Sequence, residues 1–139
     1  MSQLLAFDID GSKWPGAKTD FYVSIDGRSA SGVLWNTAFI GAMQDWNQAT
    51  NFTFTAIEEA EDPCFFDSRN GVGFTSDVCG SAFGEATLAV TLTQFSSQVL
   101  GPPAIARTDI VVNDAVRYDI FGGSFSQFGI PFGSIDFGR

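Results

Sequence analysis

A helical pattern that lies between strand patterns is the feature that most constrains the fold of this chain. In the stretch SGVLWNTAFIGAMQDWNQAT, large apolar and alanine residues recur at spacings of three and four, as on one face of an amphipathic helix. These residues are Trp35, Phe39, Ala42, Met43, Trp46 and Ala49. A stripe of this composition is typical of a helix face that packs on a core. Because strand patterns precede and follow it, the chain is predicted to place one long helix on a sheet.

Four segments have the composition of strands. The first, TDFYVSIDG, alternates Phe21, Val23 and Ile25 with polar residues, and the second, NFTFTAIEE, gathers its apolar residues on one face. The third runs from Thr87 to Phe95, and its outer residues are mostly Thr, which is typical of an exposed edge. The fourth, from Ile110 to Val112, is a short apolar run suited to a buried, parallel strand.

These elements predict a single domain over residues 1–139, of the α+β or α/β class. We expect a mixed, mainly parallel, twisted sheet with one long helix packed on it. The stretch DSRNGVGFTSDV is rich in turn formers and is expected to be a loop. Residues 121–139 contain four Phe-Gly dipeptides, and we expect a loop whose phenylalanines pack on the core. A Phe-Gly segment for weak multivalent binding is the less favoured alternative.

The charge balance excludes two classes of partner. The chain has 7 Lys and Arg against 16 Asp and Glu, a formal charge of -9, and its basic residues are scattered. Such a surface repels phosphate backbones and anionic lipid, and no stretch approaches the ~20 apolar residues of a membrane span. We expect a monomer that has neither nucleic acid nor a membrane as its partner.

The two cysteines, Cys64 and Cys79, indicate a disulfide. A thiolate zinc site usually needs four Cys or His ligands, so two cysteines alone do not predict one. A bridge that closes this loop would add about 3 kcal/mol under the chain-entropy model. Two buried free thiols in a cytosolic protein are the alternative. A disulfide implies an extracellular protein. The start MSQLLAF is not a signal peptide, so a secretion signal is expected upstream.

The absence of histidine excludes most hydrolytic machinery from these residues. The 139 residues contain no His, which removes Ser-His-Asp and Cys-His nucleophile activation and the common catalytic zinc sites. A carboxylate pair could still hydrolyse glycosides, but nothing in the sequence selects two of the sixteen acids. We therefore name no catalytic residue.

One short motif matches an acceptor for N-glycosylation. Asn51-Phe52-Thr53 has the form Asn-x-Ser/Thr. Such triplets arise often by chance, and this one lies beside a predicted buried strand. We expect the triplet not to be used.

The order of these segments resembles the first part of a metzincin zinc peptidase catalytic domain, of the matrixin type. The resemblance is carried by FDIDGSKWPGAKTDFYVSIDG, by the helical stretch with the following strand, by ATLAVTLTQF and by ARTDIVVNDAVRYD. In that family a Trp-Pro opening precedes the first strand, an edge strand contains Leu-Ala, and the next strand begins with Asp. Here Trp14-Pro15, Leu88-Ala89 and Asp109 fall at those places.

The resemblance implies a secreted zinc-dependent metalloendopeptidase, which hydrolyses peptide bonds with zinc-activated water. Its active-site helix, H-E-x-x-H-x-x-G-x-x-H, would follow next, with Ile135 to Arg139 as the run-in and 121–139 as the loop before it. The chain is therefore expected to be the front part of the enzyme, and inactive alone. The rival hypothesis is a non-catalytic secreted binding module that uses an exposed sheet edge. Only the fragment is expected to leave four phenylalanines partly exposed: Phe121, Phe125, Phe128 and Phe132.

The resemblance also implies binding residues. The segment Leu88, Ala89, Val90 and Thr91 matches the edge strand that pairs with an extended peptide or protein substrate. An ordinary edge strand is the alternative.

The metal sites of the family are only partly matched. Its structural zinc should be absent, because Val90 and Val111 stand where histidines are expected. Three side chains are candidate calcium ligands: Asp109, Asn113 and Asp114. Three oxygens fall short of the six to eight that calcium usually takes.

Overall fold

The computed structural model describes residues 11–97, 100–120 and 135–137. These residues form a five-stranded sheet, one helix and a separate two-stranded pair. The elements are β1 (Lys18–Val23), α1 (Trp35–Ala49), β2 (Thr53–Ile57), β3 (Gly71–Thr75), β4 (Ala89–Ser96), β5 (Ala104–Asn113), β6 (Tyr118–Asp119) and β7 (Ile135–Asp136).

The sheet is mixed and mainly parallel, as the sequence predicted. Its strand order is β2-β1-β3-β5-β4. β1 pairs with both β2 and β3 in parallel, and β3 pairs with β5 in parallel. Only β4 runs antiparallel to its neighbour, β5. Helix α1 connects the parallel strands β1 and β2, because parallel neighbours need a long crossover. β2 and β4 are the two edges of the sheet.

The core lies between α1 and one face of the sheet. The predicted alternation in β1 is confirmed, since Phe21, Val23 and Ile25 are all buried. Met43 is the buried residue of α1. The predicted apolar face of the helix is only partly correct, because Trp46 is 62% exposed.

Strand β3 corrects the prediction of a loop between the cysteines. It is the central strand of the sheet, although its sequence GVGFT has two glycines, which weaken strand signals. A Cβ on Gly71 would come within 3.2 Å of Glu61 and 3.4 Å of the Asp109 carboxylate, and Gly73 faces Pro63. Close approach of Glu61 and Asp109 therefore accounts for a glycine at position 71, whereas the contact of Gly73 with Pro63 is an ordinary one.

Strand β5 is ten residues long and so corrects the short prediction of 110–112. Arg107 and Asp109 interrupt its apolar pattern, yet both are only 1% exposed and form an ion pair. The other carboxylate oxygen of Asp109 accepts the N–H of Gly71 at 2.8 Å, and Arg107 donates to the carbonyl of Asp67 at 3.3 Å. Charged side chains can be buried in a strand when such partners compensate them.

Asn70 fills the place between β1 and β5 just before β3 begins. Its side-chain oxygen accepts the N–H of Thr108 at 2.7 Å, and its amide nitrogen donates to the carbonyl of Asp20 at 2.6 Å and to the hydroxyl of Thr19 at 3.0 Å. The side chain thus makes the hydrogen bonds that a longer β3 would make through its backbone.

The predicted disulfide is confirmed. Cys64 and Cys79 are bonded, with their Cα atoms 5.2 Å apart, and the bridge encloses β3. Among the residues that the structure describes, no helix is long and apolar enough to cross a membrane. The four phenylalanines at 121, 125, 128 and 132 lie outside the described residues.

The two glycines of β3 provide a matched test of close packing. We expect Gly71→Ala to lower the free energy of unfolding by about 1–3 kcal/mol, because its methyl group meets Glu61 and the fixed Asp109 carboxylate. Gly73→Ala should change it by no more than about 1 kcal/mol, because its nearest contact, Pro63 at 3.7 Å, is an ordinary one. Urea unfolding measures both. An equal loss in the two variants would contradict this account.

Candidate functional site

The outer edge of β4 is the candidate binding site. The N–H of Asn113 donates to the carbonyl of Leu88 at 2.9 Å. In an antiparallel pair, hydrogen-bonded residues alternate with residues whose amide groups point away from the partner strand. Since Leu88 faces β5, so does Val90. The N–H and C=O groups of Ala89, Thr91 and Thr93 therefore point outward.

Of the four binding residues that the resemblance implied, two face β5 and two face outward. Leu88 precedes β4, and its carbonyl also accepts the Tyr118 hydroxyl at 2.7 Å. Val90 lies opposite Val111, so the two positions where the family has histidine are neighbours across the ladder. Only Ala89 and Thr91 present their backbone to an added strand.

Thr93 is a further member of this edge. It falls within the Thr-rich edge strand predicted from Thr87 to Phe95, but not among the four binding residues that the resemblance implied. Its side chain is half-buried, and its hydroxyl is 2.8 Å from that of Thr108 on β5. The register then shifts between Gln94 and Phe95, which ends the regular edge. No hydrogen bond within residues 11–97, 100–120 or 135–137 engages the outward backbone groups of Ala89, Thr91 and Thr93. They span about 13 Å, enough for an extended peptide of four or five residues.

The opposite edge, β2, is largely closed by the end of α1. Asn47 donates to the carbonyl of Phe54 at 2.8 Å and accepts its N–H at 2.7 Å. The hydroxyl of Thr50 accepts the N–H of Phe52 at 3.2 Å and contacts its carbonyl at 3.3 Å. These side chains occupy the groups that an added strand would need. Within β2, the outward backbone groups of Ala56 have no such partner among the described residues. As the described residues build it, the sheet therefore has one largely closed edge and one open edge.

The three candidate calcium ligands do not come together. Asp109 and Asn113 are four residues apart on one strand, roughly 13 Å. The Asn113 amide already donates to the carbonyl of Thr87 and accepts the N–H of Ala115, and Asp114 is exposed. In the part of the chain that the structure describes, no group of three or more His, Cys, Asp or Glu residues is placed to hold a metal ion.

Burial and hydrogen bonds shift the pKa values of Asp109, Tyr118 and Asp119. Burial raises the pKa of Asp109, against the opposing effects of the Gly71 N–H and of Arg107. Burial also raises the pKa of Tyr118, whose hydroxyl donates to the carbonyl of Leu88. The N–H of Ile120 and the hydroxyl of Ser31 lower the pKa of Asp119, the last residue of β6.

The described residues leave apolar surface uncovered beside α1. A cavity of about 420 Å³ opens between the helix and the sheet. Its lining includes the exposed Trp46, together with Phe39, Val112 and Phe137. Phe137 also packs against Trp35, with ring centroids 5.2 Å apart. Of the described residues that line the cavity, only Asp45 carries a carboxylate, so these residues provide no set of groups for acid-base chemistry.

Comparison of the chain with protein-family models, with curated proteins and with solved structures finds no match.

Hydrogen exchange tests the alternation in β4. We expect the amide protons of Val90 and Leu92 to exchange about a hundredfold or more slowly than those of Ala89, Thr91 and Thr93, because only the former belong to the ladder with β5. Exchange followed residue by residue with NMR makes the comparison within one strand. Equal protection of neighbouring residues would show that the edge is covered.

Removal of Asp109 tests its structural role. Asp109→Ala leaves Arg107 as a buried, uncompensated charge, so we expect the free energy of unfolding to fall by about 3–5 kcal/mol. Asp114→Ala, at an exposed position, should change it by no more than about 0.5 kcal/mol. Urea unfolding is measured in EDTA and again in millimolar calcium. A loss of stability in Asp109→Ala that appears only in calcium would instead support a ligand role.

Proposed function

We propose that this chain binds an extended peptide by adding it to the outer edge of β4 as a further strand. The observation that carries the proposal is the row of outward backbone groups at Ala89, Thr91 and Thr93. Main-chain hydrogen bonds supply affinity in this mode of recognition, and alternate side chains supply specificity.

The contrast between the two edges supports this proposal. Exposed edges invite pairing with other chains, and proteins usually block them. Asn47 and Thr50 block β2. No side chain among the described residues blocks the outward backbone groups of β4 in this way. Because side chains block much of the β2 edge but not the β4 edge, β4 is the edge at which a further strand can be added.

As its setting we propose the substrate-binding sheet of a secreted zinc endopeptidase. The resemblance placed Leu88-Ala89 on an edge strand, and β4 lies at an edge. The Cys64–Cys79 bridge is compatible with an extracellular location. The apolar cavity beside Trp46 and Phe137 is compatible with packing against a further element.

The residues present do not fit a catalytic zinc ion. The chain has no histidine, and the described part has no alternative group of metal ligands. We therefore derive no catalytic step from these 139 residues. Their proposed part in the reaction is to hold the peptide in an extended conformation.

A non-catalytic secreted binding module is the second candidate. The lack of histidine favours it if these residues act alone. It would use the same edge of β4. Reading the transcript beyond the Arg139 codon separates the two: H-E-x-x-H-x-x-G-x-x-H supports the peptidase, whereas an immediate stop codon supports the module.

A proline at the edge tests peptide binding. Thr91→Pro removes an outward N–H without removing a hydrogen bond of the β4–β5 ladder, so the fold should be retained. The probe is a fluorescein-labelled peptide with the β5 sequence AIARTDIVVN, which already pairs with β4 along its other side. We expect Thr91→Pro to weaken its binding about tenfold or more, as measured by fluorescence anisotropy.

The matched control is Thr91→Val, which keeps the backbone N–H and should bind as the original chain does. With the peptide bound, the amide protons of Ala89, Thr91 and Thr93 should gain protection from exchange. Unchanged affinity of Thr91→Pro, or protection that appears only away from β4, would refute binding at this edge.

A further inference from the structure

We propose that Asn51 is an acceptor for an N-linked oligosaccharide. Asn51-Phe52-Thr53 has the acceptor sequence. In the structure, Asn51 lies in the bend between α1 and β2, and its side chain is exposed. Its amide makes no hydrogen bond with residues 11–97, 100–120 or 135–137. The amide nitrogen is therefore free to carry a substituent.

The structure removes the objection raised by the sequence. A buried strand after the triplet would leave no space for a glycan, but β2 is an edge strand. Thr53 is itself exposed, and its N–H donates toward β1, to the carbonyl of Ala17 at 2.9 Å. The triplet thus runs along the outer margin of the sheet, and a glycan on Asn51 would extend into solvent without displacing a core residue.

Aromatic side chains beside the acceptor supply a surface for the first sugars. Phe52 is half-buried, and its ring centroid is 6.4 Å from that of the half-buried Trp14. Partly exposed aromatic rings gain from contact with the apolar faces of a sugar. A glycan at Asn51 would cover these rings together with the end of β2.

The compartment needed for the modification agrees with the disulfide. The Cys64–Cys79 bridge is typical of chains that mature in an oxidising compartment, and in eukaryotic cells N-glycans are attached in such a compartment. The co-reactant is a polyprenyl-diphosphate-linked oligosaccharide. A bond forms between the Asn51 amide nitrogen and the sugar C1 as the bond from C1 to the diphosphate oxygen breaks. The diphosphate leaves with the electron pair, and the amide loses one proton.

The test expresses the full chain behind a secretion signal in cultured mammalian cells. We expect one glycan per chain, removed by peptide-N-glycosidase with conversion of Asn51 to Asp, as detected by mass spectrometry of the peptide. Asn51→Gln and Thr53→Ala should carry none. Thr53→Ser should retain the glycan, because it keeps the hydroxyl.

Glu85→Asn is the matched positive control. Glu85 and Ala86 are exposed, and this substitution completes an acceptor triplet with Thr87. We expect two glycans on that variant and one on the original chain. A single glycan on Glu85→Asn with none on the original chain would overturn the proposal, and so would a glycan that persists in Asn51→Gln. Neither result bears on peptide binding at β4, which lies at the opposite edge.

Discussion

The buried carboxylate of Asp109 joins the two halves of the sheet. One oxygen accepts the first N–H of β3, and the other pairs with Arg107, which reaches the carbonyl of Asp67. On one side of this junction lie β1, β2 and the helix; on the other lie β5 and β4. Because the pair is removed from water, each charge depends on the other for its compensation. The position of the β4 edge relative to the core therefore depends on this contact.

Asparagine amides act as substitutes for peptide groups in this sheet. Asn70 connects β1 to β5 where β3 is too short to do so. Asn47 binds both backbone groups of Phe54, as a neighbouring strand would. A carboxamide has one acceptor and one donor group in the arrangement of a peptide unit, so it can end a ladder or fill a gap in one. The same device completes the interior of the sheet and closes its β2 edge.

The parts of the fold that the sequence predicted are those with strong periodicity. Phe21, Val23 and Ile25 alternate, so β1 and its buried face were predictable, as was the helix from its three- and four-residue spacing. β3 was missed because its two glycines weaken the strand pattern, and the close approach of Glu61 and Asp109 that accounts for Gly71 is visible only in the folded chain. The first half of β5 was not predicted, because Arg107 and Asp109 interrupt its apolar pattern. Charged residues in a buried strand are compensated only by tertiary partners, which the sequence does not reveal.

The candidate site was predictable at the level of the strand but not of its groups. Thr-rich composition and the resemblance both indicated an edge near Leu88 and Thr91. Which backbone groups point outward depends on the ladder with β5, fixed by the hydrogen bond from Asn113 to Leu88. Likewise, Asp109 and Asn113 are close in sequence but far apart on an extended strand. Closure of the β2 edge had no sequence signal, because it depends on how α1 lies against the sheet.

The pairing of β4 with β5 has a consequence for the order of folding. Ser96 pairs with nearby Ala104, whereas Lys18 must find Thr53 and Val72 must find Ile110. Closing a short loop costs less entropy, so we expect the hairpin to form before the parallel pairs. The open edge therefore exists while the helix-bearing half is still unfolded. When all 139 residues refold from the denatured state, the strand that we propose for peptide binding is therefore also the first place where two chains can associate.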